Sequence, residues 1–378
     1  MDGRVRAMEE MVMAFGGIYA GRRVLVTGHT GFKGGWLCLW LKQLGARVTG
    51  YSLEAPTVPG VRELFARESI GSETIGDIRD LDRLSRAVAE CKPEIIFHLA
   101  AQPLVRRSYQ VPVETVAVNV LGTAHILEAA RHAAPGAAVV VVTTDKCYEN
   151  LGFEQACHEN DPLGGHDVYS ASKAAAELVA QSWRRSFSSS REGLGPVATV
   201  RAGNVIGGGD YAEDRILPDL VRALIAGKPL KVRNPAAVRP WQHVLDCLGG
   251  YLVVGMRLII EGRDSPACSA FNFGPAAGSW RTVEDLVTTF LHHWPGAWEA
   301  EDNTGQPHEA RFLHLSTEKA ADVLGWKPVW DFEQSVGITA DWYRARHAMP
   351  GPDMLRASVE QIAAFMQDAV SQGSGWAR

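Results

Sequence analysis

The stretch that most constrains the fold is Arg23-Val-Leu-Val-Thr27, followed at once by Gly28-His-Thr-Gly-Phe-Lys-Gly34. The β-branched run reads as a strand, and the apolar residues through Leu44 read as a helix. Glycines at the junction let the backbone approach a bound group closely, while the helix start offers free N–H groups and a positive dipole end. Strand, glycine loop and helix in that order are the context a dinucleotide-binding turn requires. The spacing is GxxGxxG rather than GxGxxG, and a glycine turn with no ligand is the competing reading.

The same alternation continues. Strands are expected over 46–51, 73–77, 94–99 and 138–143, with helices over 81–90 and 112–132 between them. Continuous apolar runs of this length suit strands buried on both faces, which implies a parallel sheet with helices on each side. The fold class expected is therefore α/β, a Rossmann-type doubly wound parallel sheet. After about Ala202 the rhythm breaks, and Gly207-Gly-Gly209, Pro218, Pro229, Pro235 and Pro240 punctuate shorter elements. These suit a smaller mixed α/β lobe for substrate on the C-terminal side. The division expected is a loose N-terminal extension (1–20), a dinucleotide domain (21–203, with a returning segment about 241–272), a substrate lobe (204–240 and 273–349) and a tail (350–378).

Composition removes other classes. A net charge of −5 without a Lys/Arg block argues against nucleic acid. No apolar run reaches the ~18 residues of a membrane span. Six scattered cysteines without a CxxC pair suit reduced thiols and no zinc site, and the histidines lack metal-ligand spacing. The first twenty residues lack a secretory core, Met13 is a plausible start, and the cytoplasm is the expected location.

Two further segments carry chemistry. Thr143-Thr-Asp-Lys-Cys-Tyr148 ends a strand with an acid beside an amine, and Tyr169-Ser-Ala-Ser-Lys173 puts a phenol and an ammonium on one helix face. A nearby lysine lowers a phenol's pKa from about 10 toward neutrality, giving a base for a hydroxyl. An acid about 20 residues past the glycine loop would bind the ribose of NAD. None stands at Gly50-Tyr-Ser52, and Glu54 comes late. His29 and Lys33 would suit the 2′-phosphate of NADP, so NAD is the expectation with NADP left open. Asp77 and Ile78 are placed to flank adenine, and Leu99, Ala100, Ala101 and Gln102 to line the cofactor cleft.

These residues, with His98-Leu-Ala-Ala101 and Asn119, resemble the extended short-chain dehydrogenase/reductase family over roughly 21–343. Within it the chain resembles the nucleotide-sugar 4,6-dehydratases, the branch acting on CDP-glucose above all. GHTGFKGGWL (28–37), TDKCY (144–148), RAGNVIGGGD (201–210), DRILPD (214–219) and RNPAAVRPWQHVL (233–245) carry that likeness. It implies an NAD-dependent lyase of deoxysugar biosynthesis, such as for lipopolysaccharide O-antigen. Thr30, Phe32, Lys33, Asn119 and Thr143 would join the cofactor site, with Tyr169 and Lys173. Thr144 would take the threonine role, Asp145 the general acid, Tyr169 the base for the 4-hydroxyl, and Lys173 its partner.

Lys146 stands where most 4,6-dehydratases carry glutamate. It could be the carbon 5 base if Lys173 and burial lower its pKa, or it could only stabilise an enolate. For the nucleotide sugar the resemblance implies Gln102, Ser108, Asn204, Arg215, Leu217, Arg239, His308 and Glu309. Arg233 belongs there or is a solvated arginine at a lobe edge. CDP rests on resemblance alone. The rivals are a 4-epimerase or reductase of the same fold, and a non-catalytic dinucleotide sensor. Apolar faces on the helices over 112–132 and 169–187 imply a homodimer, with higher assembly open.

Overall fold

The computed structural model describes residues 11–149, 155–187, 193–301, 313–348 and 353–378. Seven strands form one sheet: β1 (Arg23–Thr27), β2 (Arg47–Ser52), β3 (Ser72–Ile75), β4 (Ile95–His98), β5 (Ala138–Val142), β6 (Val197–Ala202) and β7 (Ala270–Phe273). Their order is β7-β6-β5-β4-β1-β2-β3, and every neighbouring pair is parallel. The order reverses between β1 and β4, where Thr27 lies opposite His98. Such a reversal opens a crevice beyond the strand ends.

Burial follows the two-residue period of a strand. Val24, Val26, Ile95, Phe97, Ala138, Val140, Val142, Ala198 and Val200 join one core. Leu25, Ile96, Val139, Val141 and Val197, their immediate neighbours, join a second core on the opposite face. Both faces therefore need helices. The first face is covered by α1 (Phe32–Gln43), through Trp36, Leu37, Leu39 and Trp40. The second is covered by α2 (Leu81–Cys91) and α3 (Gly122–Ala133). In α2, Leu84, Ala87 and Val88 make the inward stripe, and Asp80 caps the start by accepting from the Arg83 N–H at 2.9 Å. The longest crossover helix, α4 (Val168–Phe187), brings Tyr169 and Lys173 to the strand ends.

The helix expected over 112–132 is present but not uniform. Pro112–Val116 passes through a wider π-type turn, Ala117–Leu121, into α3. That turn buries Asn119, a local irregularity common near functional sites. Later in the chain α5 (Val244–Glu261) returns across the first face, apolar on nearly every side and almost wholly buried. Short strand pairs make the smaller part: Leu230–Val232 with Trp298–Ala300, and Val238–Arg239 with Arg281–Thr282.

The N-terminal segment corrects an expectation. Residues 11–20 are packed rather than loose. Phe15 is fully buried, stacks on Trp376 at 5.1 Å and meets Trp40 edge-on at 6.0 Å. Tyr19 donates to the Leu252 carbonyl at 2.6 Å. The tail also docks: α6 (Asp353–Ser371) places Phe365 against Trp40 and Trp330, and Gln361 reaches His243 at 2.9 Å. The six cysteines are free, and no helix among the described residues is long and apolar enough to cross a membrane.

Asp246, in the first turn of α5, gives this packing a pH signature. It is sealed, and one carboxylate oxygen accepts from the Val329 N–H at 2.6 Å. Burial pushes its carboxyl up to about 7. The folded chain therefore keeps a proton that the unfolded chain releases near pH 4, and stability falls as pH rises from about 4 to about 7. Asp246→Asn should flatten that decline and raise Tm above neutral pH. Scanning calorimetry across the range checks it, and superimposable profiles would exclude the assignment.

Candidate active site

A cleft of about 850 Å³ opens at the C-terminal ends of the sheet strands, beside the reversal point. The glycine loop forms its floor. Gly28 has φ +77°, and a Cβ there would lie 2.7 Å from the Ala100 nitrogen. A Cβ on Gly34 would lie 2.1 Å from the Gly28 carbonyl oxygen. Neither position tolerates a side chain, so the loop stays tight against the end of β4. Gly31 precedes α1 without a side-chain cap, and the helix carries no acid in its first turn. The first N–H groups of α1 thus remain open for an anion.

Thr30, Gly31, Phe32, Lys33, Asp77, Ile78, Leu99, Ala100, Ala101 and Thr143 line the cleft together with Gly28 and Gly34. Gln102 and Asn119 do not. The Gln102 amide is spent on Leu104 and Thr115, while Asn119 accepts from the Gln102 N–H at 2.9 Å and donates to Ser172 at 2.9 Å. Both act from behind the wall. Ser108 is fully buried and donates to the Val105 carbonyl at 2.6 Å. It too faces away from the cleft lining.

At the far end of the loop Ser52, Leu53 and Glu54 line the cleft, and the Thr30 hydroxyl lies 2.9 Å from that of Ser52. Glu54 is exposed and lies 3.6 Å from Arg62, and Asp77 lines the same cleft. His29 is not available to a 2′-phosphate, contrary to expectation. It is completely buried, 2.9 Å from Glu73, and packed so closely on β2 that a Cβ at Gly50 would lie 2.5 Å from its ring. Burial accordingly lowers its pKa.

The reactive groups meet at the ends of β5 and α4. Thr144 hydrogen-bonds within the loop: its hydroxyl donates to Asp145 Oδ1 at 2.9 Å and accepts from the Lys146 N–H at 3.4 Å. Asp145 Oδ2 is buried and has no partner among the described residues. Lys146 Nζ lies 4.0 Å from Asp145 Oδ1, with its side chain 31% exposed. Lys173 donates to the Val142 carbonyl at 3.2 Å. Burial, then the neighbouring charge of Lys33, pulls the Lys173 ammonium down to about 8. Tyr169 moves against expectation. Burial holds its phenol up at about 12, outweighing the Thr144 hydrogen bond and the Arg215 charge that pull the other way. Lys173 is anchored on a backbone carbonyl and keeps its charge only below about 8, which confines its support of the phenolate to that range.

On the opposite wall Asn204, Arg215, Leu217, Arg233 and Arg239 line the cleft. Arg215 is held by Asp210 at 2.7 Å, and Arg233 by Asp214 at 3.2 Å. His308 and Glu309 fall outside the described residues. Sequence reasoning missed Asp210, Lys231, Asn234, Trp241 and Glu301, which also line this wall. Asp210, Asn234 and Trp241 had a signal, because they lie in the segments 201–210 and 233–245, whereas Lys231 and Glu301 had none. Among the described residues no group of three His, Cys, Asp or Glu is placed to hold a metal ion.

The model of the GDP-mannose 4,6 dehydratase family matches residues 25–339. CDP-glucose 4,6-dehydratase of Salmonella typhimurium is 46% identical over 354 residues, covering 92% of this chain and 97% of that protein. dTDP-glucose 4,6-dehydratase of Streptomyces antibioticus is 33% identical over 277 residues, 72% of this chain and 76% of its own. The structure of dTDP-glucose 4,6-dehydratase from Streptomyces venezuelae with NAD bound superposes with a TM-score of 0.73 at 27% identity, over 87% of this chain and 99% of that one. The chain belongs to the GDP-mannose 4,6 dehydratase family, the nucleotide-sugar 4,6-dehydratases among extended short-chain dehydrogenases/reductases.

Gly28→Ala tests the floor of the cleft. It combines a left-handed backbone with a collision against Ala100, and should cost about 1–3 kcal/mol from strain alone. Urea denaturation reads the loss, and an unchanged midpoint would show that the loop can open.

Proposed function

We propose that this chain converts CDP-glucose to CDP-4-keto-6-deoxyglucose with NAD as its cofactor. The observation that carries the reading is the placement of Asp145 and Lys146 on the same cleft as Tyr169 and Lys173. One pair serves proton loss from a hydroxyl, and the other serves departure of water. An epimerase or reductase needs only the first. CDP as the carrier is supported by the likeness to the Salmonella protein.

The residues present fit a nicotinamide dinucleotide. Uncapped N–H groups at the start of α1, above glycines that exclude side chains, suit its pyrophosphate. Glu54 suits ribose hydroxyls and disfavours an added phosphate at that end. When bound, the dinucleotide supplies a hydride acceptor that later returns what it took, so the reaction is redox-neutral overall. The neutral ends of the opposite wall, Asn204 and Leu217, and its cations Arg215, Arg233 and Arg239 suit the nucleoside diphosphate.

The chain's own groups then divide the proton work. Tyr169 takes the proton of the 4-hydroxyl, and Lys173 in its charged form supports the phenolate. Because Lys173 loses that charge near 8, turnover should decline as pH rises past that value. The carbon 4 ketone acidifies the neighbouring carbon 5 hydrogen, which Lys146 removes. Asp145, whose Oδ2 has no partner among the described residues, is the acid toward the departing 6-hydroxyl. Thr144, donating to Asp145 Oδ1, orients the acid in the cleft that Tyr169 also lines.

Tyr109, Val113, Val116, Leu121 and Leu178 stay exposed along the helices between 105 and 187, Val113 at 81%. A second copy covering this face would make the homodimer expected of it. Six free cysteines suit a reducing compartment such as the cytoplasm.

The test is the mass of the product from CDP-glucose and NAD: loss of one water supports the reading, and an isomer of unchanged mass replaces it with epimerisation. Asp145→Asn should slow water loss by about 10²–10⁴-fold. Wild-type turnover by that variant would exclude Asp145 as the acid. Lys146→Met should suppress exchange of the carbon 5 hydrogen with solvent, and undiminished exchange would exclude Lys146 as the base.

A further inference from the structure

Directly behind the reactive loop, and unused by the chemistry above, lies a buried ion pair. Glu177 stands on α4 one turn beyond Lys173 and two beyond Tyr169, and Arg201 stands on β6; their side chains are 3% and 4% exposed. Arg201 Nη2 donates to Glu177 Oε2 at 2.8 Å, and the Thr199 hydroxyl donates to the same oxygen at 2.6 Å. The other oxygen, Oε1, accepts from the Thr143 hydroxyl. On its far side Arg201 donates through Nη1 to the Tyr148 phenol at 2.7 Å and to the Glu159 carbonyl at 3.1 Å. Its guanidinium also lies 4.9 Å from the centre of the Tyr148 ring. Tyr148 in turn donates to Asn272 Oδ1 on β7 at 2.7 Å.

The arrangement has a simple consequence for the loop. Thr143 immediately precedes Thr144-Asp145-Lys146, and Tyr148 follows Cys147 just after it. One ion pair therefore grips both ends of the segment that carries the acid and the amine. Its carboxylate belongs to the helix that carries the phenol and the second lysine. Apolar residues of similar volume would hold such a core at no greater cost, because a buried pair gives up two hydration shells. What apolar residues cannot do is fix direction: the Glu177 and Arg201 bonds allow one orientation of loop against helix.

We propose that Glu177 and Arg201 are positioning residues, a clamp that holds Asp145 and Lys146 in register with Tyr169 and Lys173. The clamp lets oxidation at carbon 4 and water loss across carbons 5 and 6 proceed from one pose of the sugar. The inference rests on the 4,6-dehydratase reading. Loosening the clamp shifts the loop but leaves the helix seated, so elimination suffers more than oxidation.

Glu177→Gln would strand the Arg201 charge in the interior and can prevent folding outright, so the test uses the two grips instead. Tyr148→Phe and Thr143→Val each remove one hydroxyl and keep the ion pair. Both should lower kcat by roughly 10–100-fold, as a misplacement of about 1 Å does, with KM for CDP-glucose nearly unchanged. The deciding readout is the isotope effect on kcat with substrate deuterated at carbon 4 or at carbon 5. In the variants the carbon 5 effect should grow and the carbon 4 effect shrink relative to the parent enzyme. A lowered Tm with unchanged kcat, or a lowered kcat with both isotope effects as in the parent, would reduce the pair to a structural role. Failure of the parent enzyme itself to release water would overturn the functional reading instead.

Discussion

Burial of every central strand on both faces governs this molecule. Val24 and Val26 look into one core while Leu25 looks into the other, and β4 and β5 repeat the pattern. A sheet so enclosed has no wet face, and parallel strands cannot be joined by tight turns, so each strand end must hand over to a helix. All the handovers that matter chemically fall on one rim. Gly28 after β1, Asp77 after β3, Leu99 after β4, Thr143 after β5 and Gly203 after β6 all reach the same cleft. The site follows from the sheet rather than from any one loop.

The rim also sets the electrostatics. Lys173 and Tyr169 are enclosed, and burial works against the charged form of each, lowering the ammonium to about 8 and raising the phenol to about 12. The two proton affinities, ordinarily close together, are thereby driven apart, and the phenol holds its proton more tightly than the ammonium does. Polar neighbours are rationed around them: Thr144 donates to Asp145 Oδ1, whereas Asp145 Oδ2 has no partner among the described residues.

Most of the sheet was legible because its signals are local. Strand runs such as 138–142 and the Gly28–Gly34 turn declare themselves within ten residues, and the Tyr169/Lys173 spacing needs only one helix turn. What stayed hidden depends on distant partners. His29 looked like a ligand for phosphate until Glu73 and β2 enclosed it. Phe15 looked loose because its neighbours, Trp40 and Trp376, come from α1 and the far end of the chain. Gln102 and Ser108 carry the right functional groups, but their hydrogen bonds turn them inward. Glu177 gave no signal, and Arg201 showed only as the first residue of the segment 201–210, since a charge that will be buried reads like one that will be solvated until its partner is known.

The contact between Phe15 and Trp376 also bears on how the molecule is made. Phe15 and Trp376 are separated by most of the length of this sequence, so Phe15 is made long before its stacking partner. The nascent protein therefore cannot finish this aromatic seam until Trp376 has emerged. Phe15, and the patch of α1 that Trp40 presents to it, must wait uncovered on that side until then.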